Sequence, residues 1–334
     1  MTNDQAVMAK MREFAPSPVD DVVARIETFS TEDLRAVLTP QDLSDAERAE
    51  ISEQWDIFRR DEQWCTLLGA LVAMIEAARG DIDAPITMWP DLEESGGNGR
   101  LFYFFLFALC AEGTVETLRE LGVPSHIIDR TLGIVARHAA IHRREYGTTG
   151  VNNGWWLVPT LRGEMLHVGS LQFHLVTLGV GSLSPVPWYG EEVAAGLGVG
   201  FRRGDPSIGI HVPDGTDLSH RAVDETFQEA RELFAQVWPA RERRLGTFRS
   251  WMLDDQLKSV LSPASRILAF RRRFNLVPGW IDDDEDAIEF VFRSPGTALG
   301  DLPRTTSLQR SVIGIVQGGG HCRIRTGWLE FDGH

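Results

Sequence analysis

The sequence predicts an α+β protein, with a helical N-terminal domain (residues 1–150) followed by a domain of mixed strands and helices (residues 151–334). Three observations carry this reading. Apolar residues recur at helical spacing through the first 150 residues, alternating apolar and polar runs begin past Gly150, and those runs then take turns with helical segments. A chain of this length accommodates two domains, each with its own core.

In the first domain, "SPVDDVVARIETF" and "STEDLRAVL" each open on a serine suited to cap a helix. Helical periodicity continues through "SDAERAEISEQWDIFRR" and "EQWCTLLGALVAMIEAA". The turn-rich stretch "DLEESGGNGR" precedes the most apolar run, "LFYFFLFALCA" (Leu101 to Ala111). That run falls short of the roughly 20 residues that span a bilayer, so it reads as a buried helix. "VPSHIIDRTLGIVARHAAIHRREYG" then runs to a helix-stopping Gly147, and the linker is expected near Gly147–Gly154.

In the second domain, "WWLVPTLRGEMLHVGSLQFHLV" shows strand-like runs with a turn at Arg162-Gly163. "GVGSLSPVPWYGEEVAAGLGVGFRRGDP" is rich in glycine and proline and reads as a long irregular loop. After it, "SIGIHVPDGTDLSHRAVDETFQEARELF" (Ser207 to Phe234) passes from strand through a Pro213-Asp214-Gly215 turn into a helix. There follow a strand ("GTFRSWML"), a helix that breaks at Pro263 ("DDQLKSVLSPASRILAFRRRF"), a strand ("AIEFVFR"), a helix ("TSLQRSVIGIVQGGG") and a final strand ("RIRTGWLEF").

Composition narrows the class. A net charge of −15 repels phosphate backbones and argues against nucleic acid as a partner. The three cysteines, Cys65, Cys110 and Cys322, lie far apart in no paired motif, as expected of reduced thiols in a cytoplasmic protein. The N-terminus has no apolar signal core, and no membrane partner is expected. No Gly-x-Ser-x-Gly elbow or Gly-x-x-x-x-Gly-Lys loop is present, and "GLGVG" (Gly196–Gly200) follows no strand and opens no helix.

Several charged motifs remain, each with a structural reading beside the functional one. His138 and His142 stand four apart on one helix, a spacing that presents two imidazoles to a metal. They lack the glutamate of a zincin motif and any evident third ligand, so two surface histidines on a basic helix end are expected, with no metal. The run "DDDED" (Asp282–Asp286) lacks the glycine and spaced ligands of a calcium loop and reads as a solvated turn between strands. "RRR" (Arg271–Arg273) closes a helix, where cations complement the dipole.

The segment from Ser207 offers more. Ile208, Ile210 and Val212 alternate as in a half-buried strand, and from Leu218 the apolar positions follow a 3.6-residue stripe, with Asp217 or Ser219 as cap. Free N–H groups at such a turn can cradle a phosphate, or the turn can be a plain connection. Asp214 and Asp217 weigh against an anion.

Taken together, "GVPSHIIDRTLGIVARH", "RGEMLHVGSLQF", "IHVPDGTDLS", "SWMLDDQLKSVLSPASRILAFRRRF", "LPRTTSLQR" and "GGGHCRIRTGWL" resemble a bacterial two-domain acyltransferase-like family. That family has a helical N-terminal acyltransferase domain and a GNAT-like C-terminal domain. The resemblance runs from about Gly122 to Trp328. It implies a mixed, mostly antiparallel sheet flanked by helices, and transfer of an acyl group, acetyl by expectation, from acyl-CoA to an amine of a small molecule or peptide. The alternative is a non-catalytic GNAT-fold module that binds a metabolite or protein partner.

The resemblance also maps a cofactor site. It places the pantetheine arm of acetyl-CoA or another acyl-CoA along Gly209, Ile210 and Val212, and the pyrophosphate at Asp214, Gly215, Thr216, Asp217, Leu218 and Ser219. Two departures stand out. This turn has one glycine where the GNAT pattern has several, and Ser170 stands where the family tends to carry arginine. A base must take the amine's proton, and Glu164, His174 and His211 are candidates on cleft-lining strands. Asp254, with Asp255, is a candidate to bind a cationic acceptor.

Overall fold

A computed structural model describes residues 20–81, 84, 89, 92, 96–178, 204–239 and 245–331. The chain divides into two compact units, Met1–Leu166 and His167–His334. The division lies past the expected boundary at residue 150, because the segment after Gly154 continues the helical architecture instead of opening the sheet.

The first unit contains helices α1 (Asp20–Thr28), α2 (Thr31–Leu38), α3 (Asp45–Phe58), α4 (Glu62–Ala77), α5 (Gly97–Glu120), α6 (Ser125–Leu132), α7 (Ile134–Tyr146) and α8 (Leu157–Leu161). Local chemistry sets their starts. Ser30 and Ser44 form reciprocal capping boxes with Asp33 and Glu47, and Asp61 caps α4. The core is aromatic: Trp55 and Phe58 of α3 stand 4.9 and 4.7 Å from Phe105 of α5, centroid to centroid. By length and composition α5 is a helix that can cross a membrane, yet Phe102, Phe104, Phe105 and Phe107 are fully buried.

Two expectations fail in this unit, each for a physical reason. Residues 157–161 are helical where strand was expected; all five are buried, so no exposed face marks the period. His142 is buried rather than at the surface, its Nδ1 2.9 Å from the Thr148 carbonyl and its ring 4.8 Å from that of Tyr146. His138 Nδ1 lies 2.6 Å from the Asn152 carbonyl. Both rings fasten the turn after α7 to the helix.

The strands are β1 (Met165–Val168), within which the division falls, and, in the second unit, β2 (Leu171–Thr177), β3 (Pro206–His211), β4 (Leu245–Ser250), β5 (Asn275–Leu276), β6 (Ile281–Asp282) and β7 (Arg323–Glu330). Their order in the sheet is β1-β2-β3-β4-β7-β5, with β6 pairing the other end of β7. β3 pairs antiparallel with β2, and β4 with β7, whereas β3 and β4 are parallel. Helix α9 (His220–Val237) makes the crossover that a parallel pair requires.

Register divides the sheet into two faces. Leu175, Ile208, Gly246 and Leu329 fall in one row, and Phe173 pairs with Ile210 on the same side. Helix α9 covers this apolar face, with Phe227 and Phe234 each 6.0 Å from Phe173. His174, Gly209, Thr247 and Trp328 form a row on the opposite side, beside the pair Gln172 and His211. That side is polar, though most of it is buried.

After β4 come two short helices, α10 (Leu257–Val260) and α11 (Arg266–Arg271), separated around Pro263 as the sequence indicates. Helix α12 (Asp284–Phe292) replaces the expected strand at "AIEFVFR". Asp283 caps it through the Asp286 N–H, and three acidic residues in its first turn favour the helix N-terminus. The "DDDED" run is therefore a helix start, with Asp284 also accepting from the Cys322 N–H, rather than a turn between strands. Helix α13 (Ser307–Gln317) precedes β7. The "GLGVG" stretch and most of the expected long loop lie outside the described residues.

Candidate active site

The parallel pair β3/β4 is joined only at Ile208↔Gly246 and Gly209↔Thr247. Beyond that row the two strands continue without a ladder between them, β3 to His211 and β4 to Ser250. Where parallel strands part, the edge of each presents main-chain N–H and C=O groups that an extended ligand can meet. Gly209 sits at the point of parting, and a Cβ there would lie 3.3 Å from His211 Nε2 and 3.6 Å from His174 Cβ.

Two sequence-predicted candidates meet at this place. His174 of β2 and His211 of β3 have ring centroids 5.9 Å apart on the polar face. His174 is fully buried. His211 is partly exposed as a residue, but its Nε2 is buried, and burial pushes its imidazole down to about 4, so it is neutral at pH 7.

β3 leads into the turn at Pro213–Ser219. Gly215 takes φ +73° with open space around its Cα, as the single glycine of the turn must. Thr216 Oγ1 donates to the Pro213 carbonyl at 2.6 Å, and Ser219 caps α9 by accepting from the Ala222 N–H. Asp217 accepts from the Ser219 N–H and hydroxyl, which hold its carboxyl below the usual range, and it pairs with Arg266 at 2.9 Å. Arg293 lies 3.9 Å from Asp214. Both carboxylates that weighed against an anion thus face arginines. Leu218 is buried and anchors the turn, Ile210 belongs to the apolar face, and Val212 follows the end of β3.

The remaining candidates stand elsewhere. Asp254 is a buried structural carboxylate, accepting from the Gln256 N–H, the Gln256 side-chain amide and the Arg323 N–H at 2.9–3.0 Å. Asp255 takes its cations from the protein itself: Arg271, Arg325 and Lys258. Glu164 belongs to the first unit, and burial pushes it up to about 8 although Arg162 lies 2.6 Å away. Ser170 donates its N–H to Thr226 Oγ1, fixing the β1–β2 turn on α9. Among the described residues no cluster of three His, Cys, Asp or Glu is placed to hold a metal.

Thr247 was not a sequence candidate. It enters through register alone, opposite Gly209 and with its Oγ1 3.4 Å from Ser207 Oγ.

Comparison with known proteins bears on the family and the fold. Residues 32–163 match the N-acyltransferase N-terminal domain, and residues 165–329 match the GNAT-like C-terminal domain. The chain is similar to the crystal structure of an acyltransferase in complex with decanoyl-CoA and teicoplanin, with 30% identity and a TM-score of 0.75 over 90% of this chain and 88% of that one. An acyltransferase mutant in complex with octanoyl-CoA is 29% identical, with a TM-score of 0.77 over 90% and 88% of the two chains. An acyltransferase in complex with decanoyl-CoA is 25% identical, with a TM-score of 0.76 over 99% and 96%. No curated protein matches the chain.

Proposed function

This chain belongs to the two-domain N-acyltransferase family, and we propose that it moves a medium-length acyl group from acyl-CoA to an amine on a peptide-like acceptor such as a glycopeptide. The observation that carries the reading is the parting of β3 and β4 beside the His174–His211 pair, followed at once by a turn and a capped helix. The acyl length follows the octanoyl-CoA and decanoyl-CoA of the similar structures and replaces the acetyl group expected from sequence. The acceptor class follows the teicoplanin held by one of them.

In this reading the pantetheine arm lies along the free edge of Ile210–Val212, bonded through main-chain groups. The pyrophosphate meets the N–H groups from Gly215 to Ser219, at the positive end of α9. Arg266 and Arg293 offset the charge of Asp217 and Asp214 there.

The acceptor amine attacks the thioester carbonyl, and an N–C bond forms as the C–S bond breaks. The nitrogen loses its proton at the His174–His211 pair, and that proton passes to the departing thiolate, which leaves as CoA. His211 is a weak base at its depressed pKa, so the transfer proceeds only as the amine becomes acidic on attacking the carbonyl.

The test is incubation with acetyl-, octanoyl- and decanoyl-CoA and a glycopeptide amine, following free thiol and product mass. Decanoyl-CoA should give the acylated glycopeptide and one equivalent of CoA. No thiol release with any pair would end the acyl-transfer reading, and a tenfold preference for acetyl-CoA would end the chain-length part of it.

A further inference from the structure

The polar face of the sheet carries a buried indole donor that the reaction above does not use. Trp328 of β7 lies directly opposite Thr247 in register, in the row that continues to Gly209 and His174. Its indole Nε1 is buried and, among the described residues, meets no acceptor, although the residue as a whole is partly exposed. A buried N–H without a partner is unfavourable and rare in folded proteins. On the opposite face the corresponding β7 positions are Gly327 and Leu329, which carry no such group.

We propose that Trp328 is a specificity-determining residue whose indole N–H donates to an oxygen of the acyl acceptor. The assignment rests on the acyltransferase reading and adds a contact to it. The acyl-CoA has less claim on this donor: its arm is placed on the β3 side of the parting, and its hydrocarbon tail has no use for an N–H. Trp328 stands on the far side of β4 from β3.

The placement sets the size of the acceptor. Trp328 and His174 are separated by three strand spacings, roughly 14 Å between Cα atoms at about 4.8 Å per strand. An acceptor whose amine meets the imidazoles must therefore be large to bring an oxygen to Trp328. A sugar-bearing peptide, rich in carbonyl and hydroxyl oxygens, has that reach, and a simple amine does not.

The experiment uses the full chain with Trp328→Phe, which keeps the ring and removes the N–H. With decanoyl-CoA and a glycopeptide amine, KM for the acceptor should rise about tenfold. With a small primary amine such as glucosamine the variant and the wild type should match, and so should their decanoyl-CoA affinity and melting temperature. An equal loss on both acceptors, or a lowered melting temperature in step with the loss, would mark Trp328 as structural and overturn the assignment. Unchanged glycopeptide kinetics would also overturn it. Failure of the wild type to acylate any amine would instead bring down the acyltransferase reading beneath it.

Discussion

The chain contains two histidine pairs, and they serve opposite ends. His138 and His142 stand one turn apart on α7, and the Nδ1 of each ring meets a carbonyl of the following turn. His174 and His211 come from different strands, face each other at 5.9 Å, and lie where two parallel strands part. The first pair is close in sequence and holds structure. The second is far apart in sequence and is set at a place that can receive a ligand. Spacing that looks like a site is thus a weaker signal than what each ring nitrogen meets once the chain has folded.

Replacing the two pairs tests this contrast most severely. His174→Ala and His211→Ala, measured separately, should lower kcat for acyl transfer by roughly 10²- to 10⁴-fold in at least one case, with acyl-CoA affinity kept. His142→Ala should leave kcat alone and lower stability by about 1–3 kcal/mol, read by urea unfolding. A reversal of these outcomes would break the comparison.

Packing sharpens the same contrast. A Cβ on Gly154 would fall 1.9 Å from Cδ2 of the buried Tyr103 ring, so Gly154→Ala should cost about 3 kcal/mol, the upper part of the range for overpacking. If the melting temperature of that variant does not move, the packing of Gly154 on Tyr103 is looser than the 1.9 Å approach implies.

Glu164 is the exception in the first unit, a carboxyl held neutral by burial to about pH 8. Its folded pKa is raised above the unfolded value. Its contribution to stability is therefore fully present below about pH 4.5 and is lost as pH rises through 8. Urea titrations from pH 5 to 8 should show wild-type stability falling relative to Glu164→Gln. A flat difference would mean that the carboxylate stays charged beside Arg162.

The smallest stability effect belongs to the open turn of the second unit. Gly215→Ala meets no neighbour and bears only the left-handed backbone cost, about 1 kcal/mol. Gly215→Asp adds a negative charge at the same place and should weaken acyl-CoA binding about tenfold, by titration calorimetry, without further unfolding. Unchanged affinity would move the phosphates away from this turn.

Much of this was legible in the sequence wherever local chemistry decides. Ser30 as a cap, the break at Pro263, and the strand-turn-helix from Ser207 follow from residue types within a few positions of each other. The family resemblance supplied the sheet. What escaped depends on distant partners. "AIEFVFR" has strand composition, but the aspartates before it cap a helix. Residues 157–161 show no period because every side chain is buried. The meeting of His174 with His211, and of Gly209 with Thr247, is set by register, which no local window contains. The donors to Asp254 include the Arg323 N–H, far along the chain, so its setting lies beyond any local window.

The place of β7 has a consequence for how the protein is made. It is the last of the seven strands to be synthesised, yet it lies between β4 and β5 and pairs with β6 as well. The residue just beyond it, Phe331, packs on Phe173, Phe227 and Phe234. Until that segment clears the ribosome, β4 keeps an unpaired edge and the aromatic cluster under α9 lacks a member. The second unit must therefore complete its sheet after translation has passed residue 331, which leaves a growing chain with an open strand edge for chaperones to shield.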